Sequence, residues 1–185
     1  GRCIHSVEPA TALKFVAHKG MAIPLYAGAT GKILLAFAKP EIQQKILSQE
    51  LVPFTSKTTI APEELKDQIE IIKKQRYAFS HEEWMIHAGD LSIPIFDRNG
   101  QFVCQLGIAG LSSSFDGHVE ELRALLMEGG AHHPNSKKRG DLPMTQLIEC
   151  ALNLSERSRQ HVMDAILPEV RNHERYPNMA EEEQK

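Results

Sequence analysis

The sequence has few cysteines, little aromatic content and no long apolar run. Its three cysteines, Cys3, Cys104 and Cys150, lie far apart and form no Cys-x-x-Cys pair, which argues against a disulfide framework and a thiolate zinc site. No apolar stretch approaches the roughly 20 residues that span a membrane, and the N-terminus has no charged-then-apolar signal sequence. We therefore expect a cytoplasmic chain with reduced thiols and no membrane partner.

An excess of positive charge is also missing. The 185 residues include 21 Lys and Arg against 24 Asp and Glu, which gives a net charge of −3, so bulk charge does not indicate a nucleic-acid binder. Hydrophobic residues make up 42% of the chain, enough for one domain with additional material.

A glycine-rich turn, a lysine and an apolar run follow one another in "PLYAGATGKILLAF", residues 24–37. A phosphate-binding loop would need glycine where Tyr26 stands and Ser or Thr where Ile33 stands, so a nucleotide site is disfavoured. The pattern predicts a tight turn that leads into a helix from about Thr30, with Lys32 as a solvated surface lysine. The apolar residues expected in the core are Ile33, Leu34, Leu35 and Phe37.

Other segments show the periodicities of short strands and amphipathic helices. Two strands are expected at residues 2–8 and 12–18, a second helix from Pro40, and a third from Pro62 with Leu65, Ile69 and Ile72 on its buried stripe. A short strand is expected in "YAFS", and a last helix carries Leu122, Leu125 and Leu126. This mixture predicts an α+β architecture.

The segment "DLSIPIFDRNGQFVCQLGIAG" gives the clearest structural signal. Two apolar strands are joined by Arg98, Asn99 and Gly100, and Asn-Gly strongly favours a hairpin turn. Because both strands are apolar at nearly every position, we expect the hairpin to lie centrally with both faces covered.

Several linked motifs together resemble one known family. The segments "GMAIPLYAGATGKILLAF", "TTI", "RYAFSHEE" and "LSIPIFDRNGQFVCQLGIAG" are similar, in order and spacing, to the effector-binding domain of the isocitrate lyase regulator (IclR) family of bacterial transcription factors. The resemblance covers residues 1–129 and implies a GAF/profilin-like fold, a curved antiparallel sheet with flanking helices. It further implies that the domain's first helix and strand are missing.

The resemblance also implies a function. Family members bind a small metabolite, often an organic acid, form dimers or tetramers, and contact DNA through a winged helix-turn-helix that precedes this domain. We therefore expect an anionic small-molecule effector and a homo-oligomer, with DNA bound only through the missing N-terminal domain. The alternative is a stand-alone interaction domain without a ligand.

Ligand-contacting positions of the family fall on seven residues of this sequence. Backbone amides in the turn at Ala29, Thr30 and Gly31 are expected to face the ligand, since a helix N-terminus offers unpaired N–H groups to an anion. The other positions are Ser80, Asp90, Gly107 and Ala109. Small residues at 107 and 109 disfavour a very small keto acid, and Asp90 favours a ligand with a donor or amino group. Alternatively, Asp90 starts its strand facing solvent.

No catalytic residue, cofactor or metal site is predicted. His81, Glu82, Glu83, His87 and Asp90 form the densest set of potential metal ligands, but their spacing matches no known signature and favours an exposed polar loop. No nucleophile stands in a telling local motif, so we do not expect an enzyme.

The C-terminal part changes character. Residues 130–143 are linker-like, and residues 144–185 restart as a strand followed by a helix. Residues 144–170 resemble the beginning of a glutamate formimidoyltransferase. The matching positions are Glu149, Cys150, Asn153, Leu154, Ser155 and Glu156. Since no catalytic residue is included, a fragment of such an enzyme is only the alternative. We expect read-through into a downstream gene, against an ordinary helical extension, and a tail that is dispensable for folding.

Overall fold

The computed structural model describes residues 1–7, 18, 20–97, 99–131 and 148–152. Within them the chain forms a five-stranded sheet in the order β1-β5-β4-β3-β2 with four α-helices. The elements are β1 (Arg2–Val7), α1 (Gly28–Ala36), α2 (Pro40–Leu47), α3 (Pro62–Gln75), β2 (Ala78–His81), β3 (Ala88–Phe96), β4 (Phe102–Leu111), a 3-10 turn (Ser112–Phe115), α4 (Val119–Ala131) and β5 (Ile148–Leu152). None of these helices is long and apolar enough to cross a membrane.

Local sequence signals explain where several elements begin and turn. Pro40 and Pro62 each occupy the first turn of a helix, where proline costs no intrahelical hydrogen bond. Between β3 and β4, the side chain of Asp97 accepts the backbone N–H groups of Asn99 and Gln101, both at 2.8 Å. Gly100 completes the turn with a φ of 72°, a left-handed conformation that glycine adopts without strain.

Helices cover both faces of the central hairpin, as predicted. On one face, Leu91, Ile93 and Ile95 of β3 pack with apolar residues of β4 and with Leu126 of α4. On the other face lies α1, and α3 packs against it through Leu65, Ile69 and Ile72. The core residues Ile33, Leu34 and Leu35 of α1 are fully buried, and Phe37 packs against this second cluster.

Strand β5 occupies the gap between β1 and β4 and runs parallel to both. The backbone partners of Ala151 are Ser6 on one side and Gly107 on the other. The three strands β2, β3 and β4 are antiparallel. Residues 148–152 therefore contribute to the sheet, which is evidence against the expectation that the whole tail is dispensable.

The α+β class, the helices from Pro40 and Pro62, and the β3–β4 hairpin are confirmed. The first helix begins at Gly28 rather than at Thr30, and α4 continues to Ala131, two residues beyond the predicted domain end. The strand expected at 12–18 falls outside the described residues except for His18, and the helix expected after β5 also lies outside them.

Candidate functional site

The carboxylate of Asp90 binds the N-terminus of α1. The backbone N–H of Ala29 donates to Oδ1 at 3.0 Å, and that of Thr30 donates to Oδ2 at 2.9 Å. The residue that precedes α1, Ala27, has no side chain able to cap the helix, so a strand 60 residues further along the chain supplies the cap. The solvent-facing alternative for Asp90 is wrong, because its carboxylate is held by the helix amides.

Six of the seven predicted positions lie on α1 and on the sheet face beneath it. Ser80, Asp90 and Ala109 are cross-strand neighbours on β2, β3 and β4. Two residues along, Ser92 on β3 stands opposite Gly107 on β4. Since alternate residues of a strand share a face, Ser92 and Gly107 lie on the same face as Asp90. Ala29 and Thr30 cover this face from above through their bonds to Asp90.

Two further polar residues, Ser92 and Gln105, lie on this face beside the predicted Ser80 and Asp90. The hydroxyl groups of Ser92 and Thr30 lie 3.0 Å apart, and Ser92 is fully buried. Gln105 is also fully buried. A side chain at Gly107 would place its Cβ only 2.5 Å from the Ser92 hydroxyl and 3.0 Å from Oε1 of Gln105. Ser92 and Gln105 were not predicted as site residues. The signal that could have identified them is that each is a single polar residue within an apolar strand.

Lys32 is buried, so the expectation of a solvated surface lysine is wrong. Only 4% of the residue is exposed, and its Nζ lies 2.5 Å from Oε2 of Glu83. The same Glu83 oxygen accepts the backbone N–H of Gly28 at a longer distance of 3.4 Å. A buried ammonium requires such a partner, and the partner comes from the loop between β2 and β3, which the local sequence of α1 cannot reveal.

Two threonine side chains hold the loop that carries Glu83. Thr55 donates its hydroxyl to the carbonyl oxygen of Glu82 at 2.6 Å, and Thr58 donates to that of Glu83 at 2.6 Å. The Thr58 oxygen also accepts the backbone N–H groups of Phe54 and Thr55. Thr58 of the "TTI" segment and Thr55 thus hold the loop that places the Glu83 carboxylate at the start of α1.

Burial dominates the electrostatics of Asp90. Loss of solvation raises the pKa of its carboxyl group, the hydrogen bonds from Thr30 and Ala29 oppose the rise, and the nearby negative charge of Glu83 adds to it. Two carboxylates therefore approach one helix N-terminus, and Lys32 compensates only Glu83 directly. Asp90 is consequently protonated more readily than an exposed aspartate.

Gly31 differs from the other predicted positions because it packs against backbone. A Cβ at this position would lie 2.0 Å from the carbonyl oxygen of Pro24, which no flexible side chain can relieve. Glycine at 31 is therefore required by the close approach of the segment that precedes α1. A contact between the Gly31 amide and a ligand stays a prediction.

The structure divides the cluster of potential metal ligands in two, with the rings of His81 and His87 at 3.8 and 3.4 Å from the Glu82 carboxylate. Glu82 accepts Lys57 Nζ at 2.7 Å and the backbone N–H of His87 at 3.0 Å. The hydrogen bond from Lys57 lowers the pKa of Glu82 to about 2. Glu83 and Asp90 face α1 instead. Among the described residues, no group of three or more His, Cys, Asp or Glu is arranged to hold a metal ion.

Comparisons with known proteins identify relatives of this fold. Residues 2–131 match the family described as bacterial transcriptional regulator IclR C-terminal. The HTH-type transcriptional regulator KdgR of Dickeya chrysanthemi is 35% identical over 113 residues, which cover 60% of this chain and 35% of that protein. The crystal structure of Thermotoga maritima IclR superposes with a TM-score of 0.58 and 36% identity, covering 66% of this chain and 50% of that one.

A third relative shows the fold at lower identity. The inducer-binding domain of the PobR transcription factor from Acinetobacter, a double mutant in complex with 3-hydroxybenzoic acid, superposes with a TM-score of 0.58 at 18% identity. The match covers 68% of this chain and 74% of that one. The chain spans less than half the length of curated relatives such as the Dickeya regulator and the Escherichia coli IclR repressor, of which it covers 35% and 46%.

Proposed function

Since this chain belongs to the IclR family of bacterial transcriptional regulators and contains their C-terminal effector-binding domain, we propose that its effector is a small organic acid. The family consists of regulators and not of enzymes. The proposed site lies between the N-terminus of α1 and strands β2, β3 and β4. It includes Ala29, Thr30, Gly31, Ser80, Asp90, Gly107 and Ala109.

The observation that carries this proposal is the polar face enclosed beneath α1. Ser80 and Ser92 are buried there, and the amides of Ala29 and Thr30 already hold a carboxylate. Desolvated backbone amides that bind the carboxylate of a protein side chain can equally bind the carboxylate of a ligand. The PobR domain, which has this fold, was crystallised with an aromatic hydroxy acid, and this supports the same ligand class here.

The wider activity of the protein is also a proposal. We expect effector binding to shift the equilibrium between two arrangements of a cytoplasmic homo-oligomer, and the DNA to be bound by a separate winged helix-turn-helix. Residues 1–129 would form the sensing domain, which α4 extends to Ala131, and the rest of 130–143 a linker. Residues 144–185 would be an extension that originates from a downstream gene and adds β5 to the sheet. The alternative interaction domain would bind no small molecule.

A ligand screen followed by one filling substitution tests the site. Thermal unfolding is measured with a panel of organic and amino acids, and the affinity of any stabilising acid is then measured by calorimetry. Ala109→Leu, which adds bulk beside Asp90, should weaken binding at least tenfold. Ala124→Leu on the exposed side of α4 is the matched control and should leave affinity unchanged. Equal affinity in both variants would place the ligand elsewhere, and no stabilising acid would favour the interaction domain.

A further inference from the structure

The anion-binding position at the start of α1 is already occupied by the chain itself. We infer that Asp90 is an internal competitor of the effector carboxylate. The Asp90 side chain has to leave the amides of Ala29 and Thr30 before an acid can bind there. It thereby determines which acids the site accepts. This inference rests on the proposed function, because it concerns the same site and its ligand class.

The geometry leaves no room for two carboxylates on these amides. Each oxygen of Asp90 takes one amide, at 3.0 Å from Ala29 N and 2.9 Å from Thr30 N. The hydrogen of each amide points along one direction, so a second acceptor at the same distance would compete for it. A ligand carboxylate would also add a like charge beside Asp90 and Glu83, and in the described part of the chain Lys32 is the one cation opposite them.

The groups around Asp90 decide what a displaced carboxylate can do. Glu83 repels it, and Lys32 is engaged by Glu83 at 2.5 Å. Its strand neighbours are Ser80 on β2 and Ala109 on β4. Among the described residues around Asp90 no second cation is available to receive its charge, so a ligand donor is needed to stabilise it.

The chemistry therefore selects acids that bring their own donor. A ligand with a hydroxyl or amino group close to its carboxylate exchanges the two amide bonds of Asp90 for bonds to that donor, while its carboxylate takes the amides. A simple carboxylate offers no such exchange. Asp90 then acts as a specificity-determining residue that discriminates hydroxy or amino acids against plain acids.

The test uses the ¹⁵N-labelled full chain with acetate and glycolate, which differ by one hydroxyl group. Shifts of the Ala29 and Thr30 amide resonances report binding. In the natural sequence glycolate should bind at least tenfold more tightly than acetate. In Asp90→Ala acetate should gain at least tenfold, and the preference for glycolate should fall below threefold. Asp67→Ala, an exposed aspartate on α3, is the matched control and should behave like the natural chain.

A control ligand and a second variant distinguish the possible outcomes of this test. Acetamide, which lacks the charge, should move neither amide. If Asp90→Ala does not fold, Asp90→Asn keeps the size while weakening the cap, and acetate should again gain affinity. Acetate that binds the natural chain as tightly as either variant would overturn the competitor role while leaving effector binding intact. Conversely, acetate that gains affinity in the variant would uphold the competitor role even if the screen of organic acids found no effector.

Discussion

Thr30 and Asp90 are joined by a hydrogen bond of 2.9 Å from the backbone N–H of Thr30 to Oδ2 of Asp90. Sixty residues separate them, so the bond connects the start of the first helix to the opening strand of the central hairpin. A neighbouring bond from Ala29 makes the contact bidentate. These hydrogen bonds thus join the helix to the sheet at the point where a ligand is proposed to bind. The same groups therefore contribute to fold stability and to the proposed ligand binding.

Removing this carboxylate should destabilise the chain. Asp90→Ala leaves two amide donors without their acceptor, and we expect the free energy of unfolding to fall by about 1–3 kcal/mol. Asp90→Asn retains an acceptor oxygen and should lose less. Chemical denaturation at pH 7 measures both. Full stability in Asp90→Ala would show that solvent replaces the carboxylate without cost.

The raised pKa of Asp90 predicts a particular dependence of stability on pH. Because the folded state holds this proton more tightly than the unfolded chain, the contribution of Asp90 is most favourable below the ordinary aspartate pKa of about 3.9 and declines as pH rises from there through the raised folded pKa. In Asp90→Asn this decline should disappear. The unfolding free energies of the natural chain and of Asp90→Asn are measured from pH 3 to 8, and their difference isolates the contribution of Asp90. A difference that grows as pH rises would mean a lowered pKa.

Breaking the buried ion pair should cost more than breaking an exposed one. Lys32→Met leaves the Glu83 carboxylate without its partner, and we expect a loss of about 3–5 kcal/mol. Adding Glu83→Gln should recover part of it, because the unpaired charge is then removed. Lys66→Met, whose pair with Glu63 is exposed, serves as the control and should cost less than about 1 kcal/mol. Denaturant unfolding at pH 7 measures all of the variants.

Gly107 and Ser92 should be energetically coupled. Gly107→Ala places a methyl group 2.5 Å from the Ser92 hydroxyl, and overpacking of this kind typically costs about 1–3 kcal/mol. Ser92→Ala removes that oxygen, so the double variant should be more stable than the sum of the two single effects predicts. A double-mutant cycle of unfolding free energies measures the coupling, and strict additivity would contradict the contact.

Lys57 should control the ionisation of Glu82. The pKa of Glu82, lowered to about 2 by the hydrogen bond from Lys57, should rise toward the ordinary value of about 4.3 in Lys57→Met. A lowered folded pKa contributes stability above the unfolded value that is lost as pH falls through the folded one. Carboxyl ¹³C chemical shifts measured against pH give the midpoint. Lys45→Met on α2 is the control and should leave it unchanged.

The role of β5 can be separated from that of the remaining tail. Ala151→Pro removes a backbone donor from a strand that has partners on both sides, and we expect a loss of about 1–3 kcal/mol. A chain ending after Leu152 should keep its thermal stability, whereas one ending after Ala131 should lose it. Equal melting temperatures for both truncations would restore the expectation that everything after residue 130 is dispensable.

The sequence by itself determined the features that depend on near neighbours. Proline at 40 and 62 marks helix starts, the 3.6-residue spacing of Leu65, Ile69 and Ile72 selects the buried side of α3, and Asn99-Gly100 specifies the turn between two strands. Each of these signals acts within a few residues of the chain. Linked motifs at characteristic distances were also enough to assign residues 1–129 to a regulator domain.

Only the tertiary structure decided which groups satisfy the start of α1. The capping carboxylate of Asp90 and the counter-ion Glu83 come from segments more than 50 residues away, and the place of β5 between β1 and β4 depends on two distant strands. Local periodicity carries no information on such partners, because a lysine or an aspartate has the same local signature whether it is solvated or paired. Burial raises the free-energy cost of an unpaired charge. Only the packing of the chain determines which buried charges have a partner and which residue supplies it.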